Sequence, residues 1–524
     1  ASNVFLKKIW DIFSRNFGRR NGYMEMLKVV FAALLNAFEP GHLFLISIGT
    51  VFGLIFGAIP GLNSVIGLSL LLPLTYGIDP VSGMFLYAGV MGANPFGGSI
   101  SAILINTPGT AQNVATCFDG YPMTQRGEAG RALGISATAS GLGALFGIGI
   151  LVVLIPLVRQ IILIFGPPEF LMFILFGLSA IVVSSRGNII KGLFGGGLGL
   201  IFSFIGRSSI TGVIRYNFGT IYLWDGLSMI PFAIGMFALA EVISLAVAGK
   251  TTIAEDKVDR EISGVWQGMK DVFRHKRCFF RSSAIGTLIG IIPGIGGATA
   301  NFIAYTAAMQ ASKNPGLFGS GYPEGVIAPE SANNAKEGGS LLPTLGFGIP
   351  GSLEMAVLLG AFILHGLTPG PLLIREHPEI VWAIIWGLVI SSVLASFIGL
   401  LSANILLKIS FIDVSFIIPV IAAISIIGAF AVNGNILDVF CALIFGFFGY
   451  FIKRNGFPVI TLVIGYILGK LAEISFHQSL MISHGDHWIF FKRPISLILI
   501  VLLILILLLP FLKKNRMKAK EGMR

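Results

Sequence analysis

Long apolar runs recur along almost the whole chain, and they limit the possible folds more than any other feature. A helix needs roughly 20 apolar residues to cross a bilayer, and many of these runs approach that length. Only 12% of the residues are charged, which is about half the charged fraction of a soluble domain. The sequence therefore predicts an all-α polytopic membrane protein with about 10–14 membrane elements. The apolar runs occupy residues 42–59, 62–78, 81–105, 130–157, 169–185, 189–206, 227–249, 282–310, 339–367, 379–409, 415–433, 435–452, 456–469 and 495–512.

Charged segments divide this apolar sequence into two comparable parts. We expect a basic N-terminal segment over 1–23, a first membrane repeat over 24–249, and a charged linker over 250–281. A second membrane repeat follows over 282–512, and a basic tail occupies 513–524. Because Lys and Arg in short segments resist translocation, the N-terminus, linker and tail are expected on the cytoplasmic side of a bacterial inner membrane.

The chain is basic, with a formal net charge of +11. Its Lys and Arg residues cluster in those flanking segments and do not form one basic face of a soluble domain. A nucleic-acid partner is therefore not expected, and the lipid bilayer is the expected environment.

An internal repeat relates the two membrane parts. The pattern Gly-x-x-x-Gly-x-x-Pro-Gly begins at Gly53 and again at Gly286. The sequence GGSISAILINTPGT begins at Gly97 and resembles GGSLLPTLGFGIPGS, which begins at Gly338 and is one residue longer. Each half thus carries two Pro-Gly pairs inside apolar sequence, and the fold is expected to consist of two repeated halves.

A Pro-Gly pair interrupts a helix, because proline removes a backbone donor and glycine permits turn dihedrals. Lipid cannot satisfy the carbonyls that are freed, so such a break belongs in a protein-lined cavity. One break alone is more simply a kink or a turn between ordinary helices. Duplicated breaks favour re-entrant helices around a transport site near the middle of the bilayer.

Uncharged hydrogen-bonding residues surround these breaks. Hydroxyls, amides and exposed backbone N–H groups can hold a carboxylate without the strong grip of a buried Arg. Hydrogen bonding between helices is the alternative role for some of them. The candidate substrate- or ion-binding residues are Pro60, Gly61, Asn63, Ser64, Asn106, Thr107, Pro108, Gly109, Thr110, Asn113, Pro293, Gly294, Thr299, Asn301, Asn333, Asn334, Pro350, Gly351, Ser352 and Glu354.

Ion coupling is expected at the same breaks. Backbone carbonyls there could bind Na⁺, with H⁺ as the alternative ion, and amide oxygens could complete the site. Asn63, Asn106, Asn301 and Asn334 are the candidates for those oxygens. No other metal or organic cofactor is expected.

Six motifs resemble the large membrane subunit of the tripartite tricarboxylate transporters. They are GAIPGLN (57–63), AILINTPGT (102–110), FDGYPMTQRGEAGRALG (118–134), GIIPGIGG (290–297), APESANNAKEGGSLLPTLGFGIPGS (328–352) and LLGAFILHGLTPGP (358–371). The resemblance extends from about Met24 to the last apolar run.

This resemblance implies a secondary transporter with inverted repeats that is driven by an ion gradient. It also implies a small membrane subunit (TctB-like) and a periplasmic solute-binding protein (TctC-like) that delivers the substrate. Substrates in the family include citrate, other di- and tricarboxylates, and various aromatic or amino-acid-like acids. The resemblance places the binding site on the polar residues beside the Pro-Gly breaks.

Five residues depart from the family pattern. Gln112 and Asn113 replace small residues, Lys336 and Glu337 lie in a stretch that is usually neutral, and Glu354 replaces a small polar residue. Substrate identity is therefore open. An ionisable residue at membrane depth is costly and is a functional candidate, although Glu354 could equally be a water-exposed carboxylate.

Other classes of function lack their sequence signatures. No Gly-x-x-x-x-Gly-Lys-Ser/Thr motif occurs, so a nucleotide-hydrolysing P-loop is not expected. No Ser-His pair, paired Asp or His-Glu metal motif lies inside an apolar run, so we do not expect an enzyme. A binding-protein-independent carrier or a channel for organic anions is the alternative to a tripartite transporter.

Overall fold

The computed structural model of the chain describes residues 20–162, 164–184, 189–208, 210–248, 262–412, 414–505 and 507. The basic segment up to residue 19, the first part of the predicted linker and the basic tail lie outside the described residues. The described chain is almost entirely helical, which confirms the prediction of an all-α polytopic membrane protein.

The helices of the first half are α1 (Arg20–Ala37), α2 (Pro40–Ala58), α3 (Ser64–Leu74), α4 (Pro80–Ile105), α5 (Val114–Gln125), α6 (Ala129–Ile162), α7 (Pro167–Ser184), α8 (Ile189–Ser203), α9 (Met229–Ala233) and α10 (Ala240–Ala248). A 3₁₀ turn (Ala111–Asn113) precedes α5, and a π-helical segment (Ile234–Leu239) joins α9 to α10. Short antiparallel strands β1 (Gly206–Arg207) and β2 (Ile214–Arg215) and a 3₁₀ turn (Ile221–Leu223) lie between α8 and α9.

The helices of the second half are α11 (Val265–Arg274), α12 (Lys276–Ile291), α13 (Gly296–Ala311), α14 (Pro323–Phe347), α15 (Leu353–Leu364), α16 (Pro371–Glu376), α17 (Pro378–Leu401), α18 (Ala403–Ser410), α19 (Val414–Asn433), α20 (Ile436–Arg454), α21 (Val459–Ile482), α22 (Ile489–Lys492) and α23 (Pro494–Leu505). A 3₁₀ turn (Pro315–Leu317) lies between α13 and α14.

Within the described residues, eight helices are long and apolar enough to cross a membrane. Several of them begin at a proline, as α2, α4 and α17 do. Proline favours the first turn of a helix, because its missing N–H has no helical partner there. The chain is therefore a multi-pass membrane protein.

Close glycine contacts hold together one body, made mainly of α2, α4, α12, α14, α6 and α17. A Cβ added at Gly53 of α2 would lie 2.5 Å from the carbonyl oxygen of Val90 on α4. The same contact occurs in the second half, where a Cβ at Gly286 of α12 would lie 2.3 Å from the oxygen of Ala332 on α14. Small residues let the backbones approach in lipid, where the hydrophobic effect does not drive helices together.

A second body contains α7, α8, the segment from α9 to α10, and α19, α20 and α21. A Cβ at Gly199 of α8 would lie 2.0 Å from the oxygen of Leu462 on α21. A Cβ at Gly235 in the π-helical segment would lie 2.5 Å from the oxygen of Ala442 on α20. Each half thus contributes helices to both bodies.

Two details of the repeat differ from the expectation from sequence. Gly97 packs on Leu54, and Gly339 packs in the same way on Thr287, so Gly97 corresponds to Gly339 and no length difference separates the motifs. In addition, α12 begins at Lys276, so residue 282, the expected start of the second repeat, lies inside this helix.

We predict that Gly53→Ala and Gly286→Ala each lower the free energy of unfolding by about 1–3 kcal/mol, because the added methyl group meets a backbone oxygen that cannot move alone. Gly149→Ala on α6 is the control, since nothing lies within 4 Å of its added Cβ. Denaturant titration of the purified protein in detergent measures the difference. Equal stability of the three variants would show that these glycine contacts are not close.

Candidate functional site

The first break separates α2 from α3 at residues 59–63. Gly61 there has a φ of +90°, a left-handed conformation that favours glycine. The side chain of Asn63 accepts a hydrogen bond from the backbone N–H of Ile66 at 3.1 Å. Asn63 therefore caps α3, and its oxygen already has a structural partner.

Helix α3 folds back along α2 after this break. Gly67 of α3 lies against the rings of Phe52 and Phe56 of α2. Asn94 of α4 supports the turn: its amide oxygen accepts from the N–H groups of Gly57 and Ser64 at 3.0 and 3.3 Å, in the orientation that satisfies both donors.

The second break follows α4 and contains Pro108. Asn106 ends the helix in a left-handed conformation with a φ of 54°. The hydroxyl of Thr107 donates to the carbonyl of Ile105 at 3.2 Å, so it serves its own turn. Gly109 donates its N–H to Gly98 O at 3.3 Å.

Asn113 fixes this break against α4. Its Nδ2 donates to Pro95 O at 2.9 Å and contacts Ser99 Oγ at 2.7 Å, and its Oδ1 accepts from Thr110 Oγ1 at 2.5 Å. Asn113 is fully buried, and both ends of its amide are satisfied. Asn113 and Thr110 therefore have a structural role in this conformation.

The third and fourth breaks touch each other. Pro293 and Gly294 separate α12 from α13, and the N–H of Gly294 donates to Gly351 O in the fourth break at 3.2 Å. The N–H of Gly351 donates to Thr344 Oγ1 at 3.2 Å. Ser352, which follows Pro350 and Gly351, caps α15 through Met355 N at 3.4 Å.

Glu354 joins the breaks of the two halves. Its Oε1 accepts from Ser64 Oγ, which follows the first break, and from Gln112 Nε2, which follows the second, both at 3.0 Å. Asn301 of α13 donates from Nδ2 to Gln112 O at 2.7 Å. A Cβ at Gly297 would lie 2.4 Å from Gln112 Oε1. All the breaks therefore meet around Gln112 and Glu354.

Three charges are buried at this meeting point. Lys336 is 1% exposed, and its Nζ lies 2.6 Å from Glu337 Oε1, although the contact lacks hydrogen-bond geometry. Lys336 also interacts electrostatically with Glu354. Buried charges are costly unless they are paired, so this cluster marks a candidate functional site.

Buried polar atoms without a hydrogen-bond partner lie next to these charges. They include both side-chain polar atoms of Asn333 and the Oδ1 atoms of Asn334 and Asn301. Native proteins leave few such atoms, so a group of them indicates a place where a ligand or an ion supplies the missing partner.

Some candidate residues lie elsewhere. Thr299 is on a face of α13 that lines a cavity of about 350 Å³ together with Phe302, Ile303, Thr306, Ala307 and Gln310. This cavity is open on one side and lies apart from the contacts of Gln112 and Glu354. Thr299 is therefore not brought into the meeting point.

A fully buried carboxylate, Glu330 on α14, was not among the predicted site residues. Four hydroxyl groups donate to its two oxygens at 2.5–2.9 Å. The donors are Ser99, Thr116, Ser136 and Ser140. They come from α4, α5 and α6, so Glu330 links the fourth-break helix to the first half.

The sequence matches the family described as Tripartite tricarboxylate transporter TctA family over residues 43–464. This chain belongs to that family. A relative from Agrobacterium vitis, described as an uncharacterized 52.8 kDa protein in TAR-I ttuC' 3'region, is 31% identical over 500 residues, which cover 94% of this chain and 98% of the relative.

A second relative of the TctA-family chain, also from Agrobacterium vitis, is described as an uncharacterized protein in TAR-II ttuC' 3'region. It is 37% identical over 233 residues, which cover 44% of this chain and 96% of the relative. No solved structure matches the chain. Membership in the TctA family makes the chain a subunit of a tricarboxylate transporter and points away from an enzyme.

Three residues of this TctA-family site, Gln112, Lys336 and Glu337, are absent from the predicted set and enter the sequence analysis only as departures from the family pattern. The buried link Glu330 is absent as well. These charged residues lie between the apolar runs 282–310 and 339–367, so the rule that an ionisable residue inside an apolar run is functional does not reach them. Gln112 carries no charge, and only its contact with Glu354 reveals it.

We predict that Ser136→Ala lowers the free energy of unfolding by about 1–3 kcal/mol, because the buried Glu330 carboxylate loses its 2.6 Å donor. Ser69→Ala is the control: Ser69 is equally buried but bonds only the carbonyl of Val65 in its own helix. Denaturant titration in detergent compares the two. A loss no larger than that of Ser69→Ala would mean that Glu330 does not depend on this hydroxyl.

Proposed function

We propose that this chain is the permease subunit of a tripartite secondary transporter that imports a small organic anion of the di- or tricarboxylate class. The observation that carries the proposal is the meeting of the duplicated helix breaks around Gln112 and Glu354. Breaks from both halves that meet inside the protein are the arrangement of substrate sites in transporters with repeated halves.

The two halves are proposed to be inverted repeats. The pairs of contacts support this, because Gly57 meets Asn94 O as Gly290 meets Lys336 O, each at 2.4 Å from the added Cβ. Contacts across the halves also occur in exchanged pairs. Gly297 is the counterpart of Ser64, and Gln112 is the counterpart of Glu354. Ser64 contacts Glu354, and in the same way Gly297 contacts Gln112. Gln112 and Glu354 touch each other, as counterparts do at a pseudo-two-fold axis.

Alternating access is proposed from a difference between the counterparts α3 and α13. Residues 64–73 of α3 are all buried, and Pro73 packs against Gly428 of the second body. Thr306, the counterpart of Pro73, instead lines the open cavity on α13. We propose that α3 and α13 move relative to the second body, so that α13 becomes covered when α3 is exposed.

Transport is proposed to be driven by an ion gradient, with Na⁺ as the first candidate and H⁺ as the alternative. The buried oxygens without partners near Lys336 support a bound cation, since oxygen ligands suit hard cations. The proposed partners are a TctB-like small membrane subunit and a TctC-like periplasmic binding protein, because the TctA family is the large subunit of tripartite transporters.

The proposed location is the bacterial inner membrane, with the N-terminus, linker and tail in the cytoplasm. Its support is the basic character of those segments. The described part of the linker lies beside further basic residues: Arg131 donates from Nε to Asp271 of α11 at 2.7 Å.

Uptake of labelled citrate and other carboxylates into proteoliposomes tests the proposed function. The vesicles contain this chain and the small subunit, and the loaded binding protein is added outside. We expect uptake that requires the binding protein and an inward Na⁺ or H⁺ gradient. Uptake that needs neither would contradict the tripartite transporter and favour an independent carrier or a channel.

We predict that Asn334→Ala and Asn106→Ala each reduce this uptake by at least about tenfold, a change of about 1.4 kcal/mol. The first removes a buried oxygen one turn before Glu337, and the second removes the asparagine that ends α4 in a left-handed conformation. Asn314→Ala in an exposed loop is the control, and membrane insertion is measured for all three. Unchanged uptake in both site variants would overturn the site assignment.

A further inference from the structure

Asn333, Glu337 and Ser340 form a polar stripe on α14. Residues three and four positions apart lie one above the other on a helix, so these side chains are neighbours. Their exposed fractions are 0%, 4% and 0%. Each has an oxygen without a hydrogen-bond partner: Asn333 Oδ1, Glu337 Oε2 and Ser340 Oγ.

The stripe lies where the breaks meet. Ser340 contacts Gly351 of the fourth break, because a Cβ added to this glycine would lie 2.6 Å from the Ser340 carbonyl oxygen and 2.8 Å from its side chain. Lys336 and Glu337 precede Ser340 by one turn. The stripe is thus beside the turn that carries Glu354.

The chemistry of these oxygens suits a hard cation. An amide oxygen, a carboxylate oxygen and a hydroxyl oxygen are the ligand types that alkali and alkaline-earth cations take in proteins. A buried carboxylate oxygen without any donor is also costly, and a cation removes that cost.

The charges limit which cation fits. Lys336 supplies one positive charge, and Glu337 and Glu354 supply two negative charges within the same buried cluster. One monovalent cation brings the sum to zero, whereas a divalent cation leaves an excess positive charge. Uncompensated charge is expensive in the interior, so the cluster matches one monovalent cation.

The first half has no equivalent of this site. Asn94 is the counterpart of Lys336. The carbonyl oxygen of Asn94 lies 2.4 Å from a Cβ added at Gly57 of α2, and that of Lys336 lies 2.4 Å from a Cβ added at Gly290 of α12. The next residue in the first half is Pro95, where the second half has Glu337. The stripe therefore provides one such site within the described part of the two halves.

We infer that Asn333, Glu337 and Ser340 hold one Na⁺ ion, and that Lys336 is a built-in cation that compensates the second carboxylate, Glu354. This inference rests on the proposed function, because it identifies the coupling ion of the same transport site. It gives Lys336, Glu337 and Ser340, whose roles the helix breaks alone do not explain, a part in fixing the number of ions bound.

Binding of Na⁺ to the purified full-length chain in nanodiscs tests the site without any transport. Thermal unfolding is followed while NaCl replaces choline chloride at constant ionic strength. We expect NaCl to raise the unfolding temperature with the slope of one bound ion against the logarithm of the Na⁺ concentration, because a ligand of the folded state stabilises it by RT ln(1 + [Na⁺]/Kd).

Glu337→Gln and Ser340→Ala locate the ion. Each is expected to raise the Na⁺ concentration above which this stabilisation begins by at least about tenfold, as loss of a ligand or its support does at other metal sites. Ser331→Ala is the matched control, since Ser331 lies on the same helix, is equally buried, and bonds only carbonyls of its own helix. Unchanged Na⁺ dependence in both site variants, or an equal effect of Ser331→Ala, would overturn the inference.

Lys336→Met tests the charge count. It leaves two carboxylates, so the gain in stability for each tenfold rise in Na⁺ is expected to be about twice that of the unchanged chain, as for two bound ions. The double variant Lys336→Met with Glu354→Gln restores the original sum of charges and is expected to return to the slope of one ion. If the single variant does not fold, the double variant decides alone. A folded double variant without Na⁺ stabilisation would overturn the role of Lys336.

The two proposals fail in different ways. Carboxylate uptake that persists while Na⁺ stabilises none of the folded proteins would overturn the cation site and leave the transporter standing. Stabilisation by Na⁺ as described, without any carboxylate uptake by the tripartite assembly, would overturn the proposed substrate and leave the cation site standing.

Discussion

A helix that breaks inside a membrane protein exposes backbone groups that lipid cannot satisfy, and the rest of this structure depends on how those groups find partners. Here the breaks find their partners in a neighbouring helix and in one another. Gly109 donates to Gly98, and Gly294 donates to Gly351. Such contacts require backbones at close range, and a Cβ at Gly109 would lie 1.9 Å from Gly57 O. Glycine at these positions is therefore a condition for the breaks to meet, as well as for the turns themselves.

Meeting of the breaks brings polar residues from distant parts of the chain together. Ser64, Gln112 and Glu354 follow different Pro-Gly breaks, yet the first two donate to the same carboxylate oxygen of Glu354. The two halves contribute unequally, because the first provides neutral Asn94 and Gln112 where the second provides Lys336 and Glu354. Repeated halves supply the frame of the site, and under our proposal the charged residues of the second half give it a cation preference.

The sequence predicted the helices and the position of each break well, because apolar length and Pro-Gly pairs act locally. It also identified Asn301, Asn333 and Asn334 as candidates, and the structure places them in or beside the meeting point. It did not predict that Asn63 and Asn113 are committed to capping and packing, since their partners depend on the folded turn. It also failed to separate Thr299 from the site, because a helix in isolation does not reveal which face lies open.

The charged residues show why the remaining part required a structure. Glu330 and Glu337 lie seven residues apart on one helix, and from sequence they are equivalent buried carboxylates. In the folded protein four hydroxyls surround Glu330, whereas one oxygen of Glu337 has no donor. The former is a structural link between the halves, and the latter is a ligand candidate. Only the side chains that other helices bring to each carboxylate distinguish these roles.

The most direct test of this account is a cryo-electron microscopy map of the full chain in nanodiscs with Na⁺ and a transported carboxylate. The account predicts additional density that contacts the turns of the four breaks, next to Gln112 and the polar stripe of α14. Density confined to the open cavity on α13, beside Thr299 and Thr306, would contradict it, because the substrate would then bind away from the place where the breaks meet.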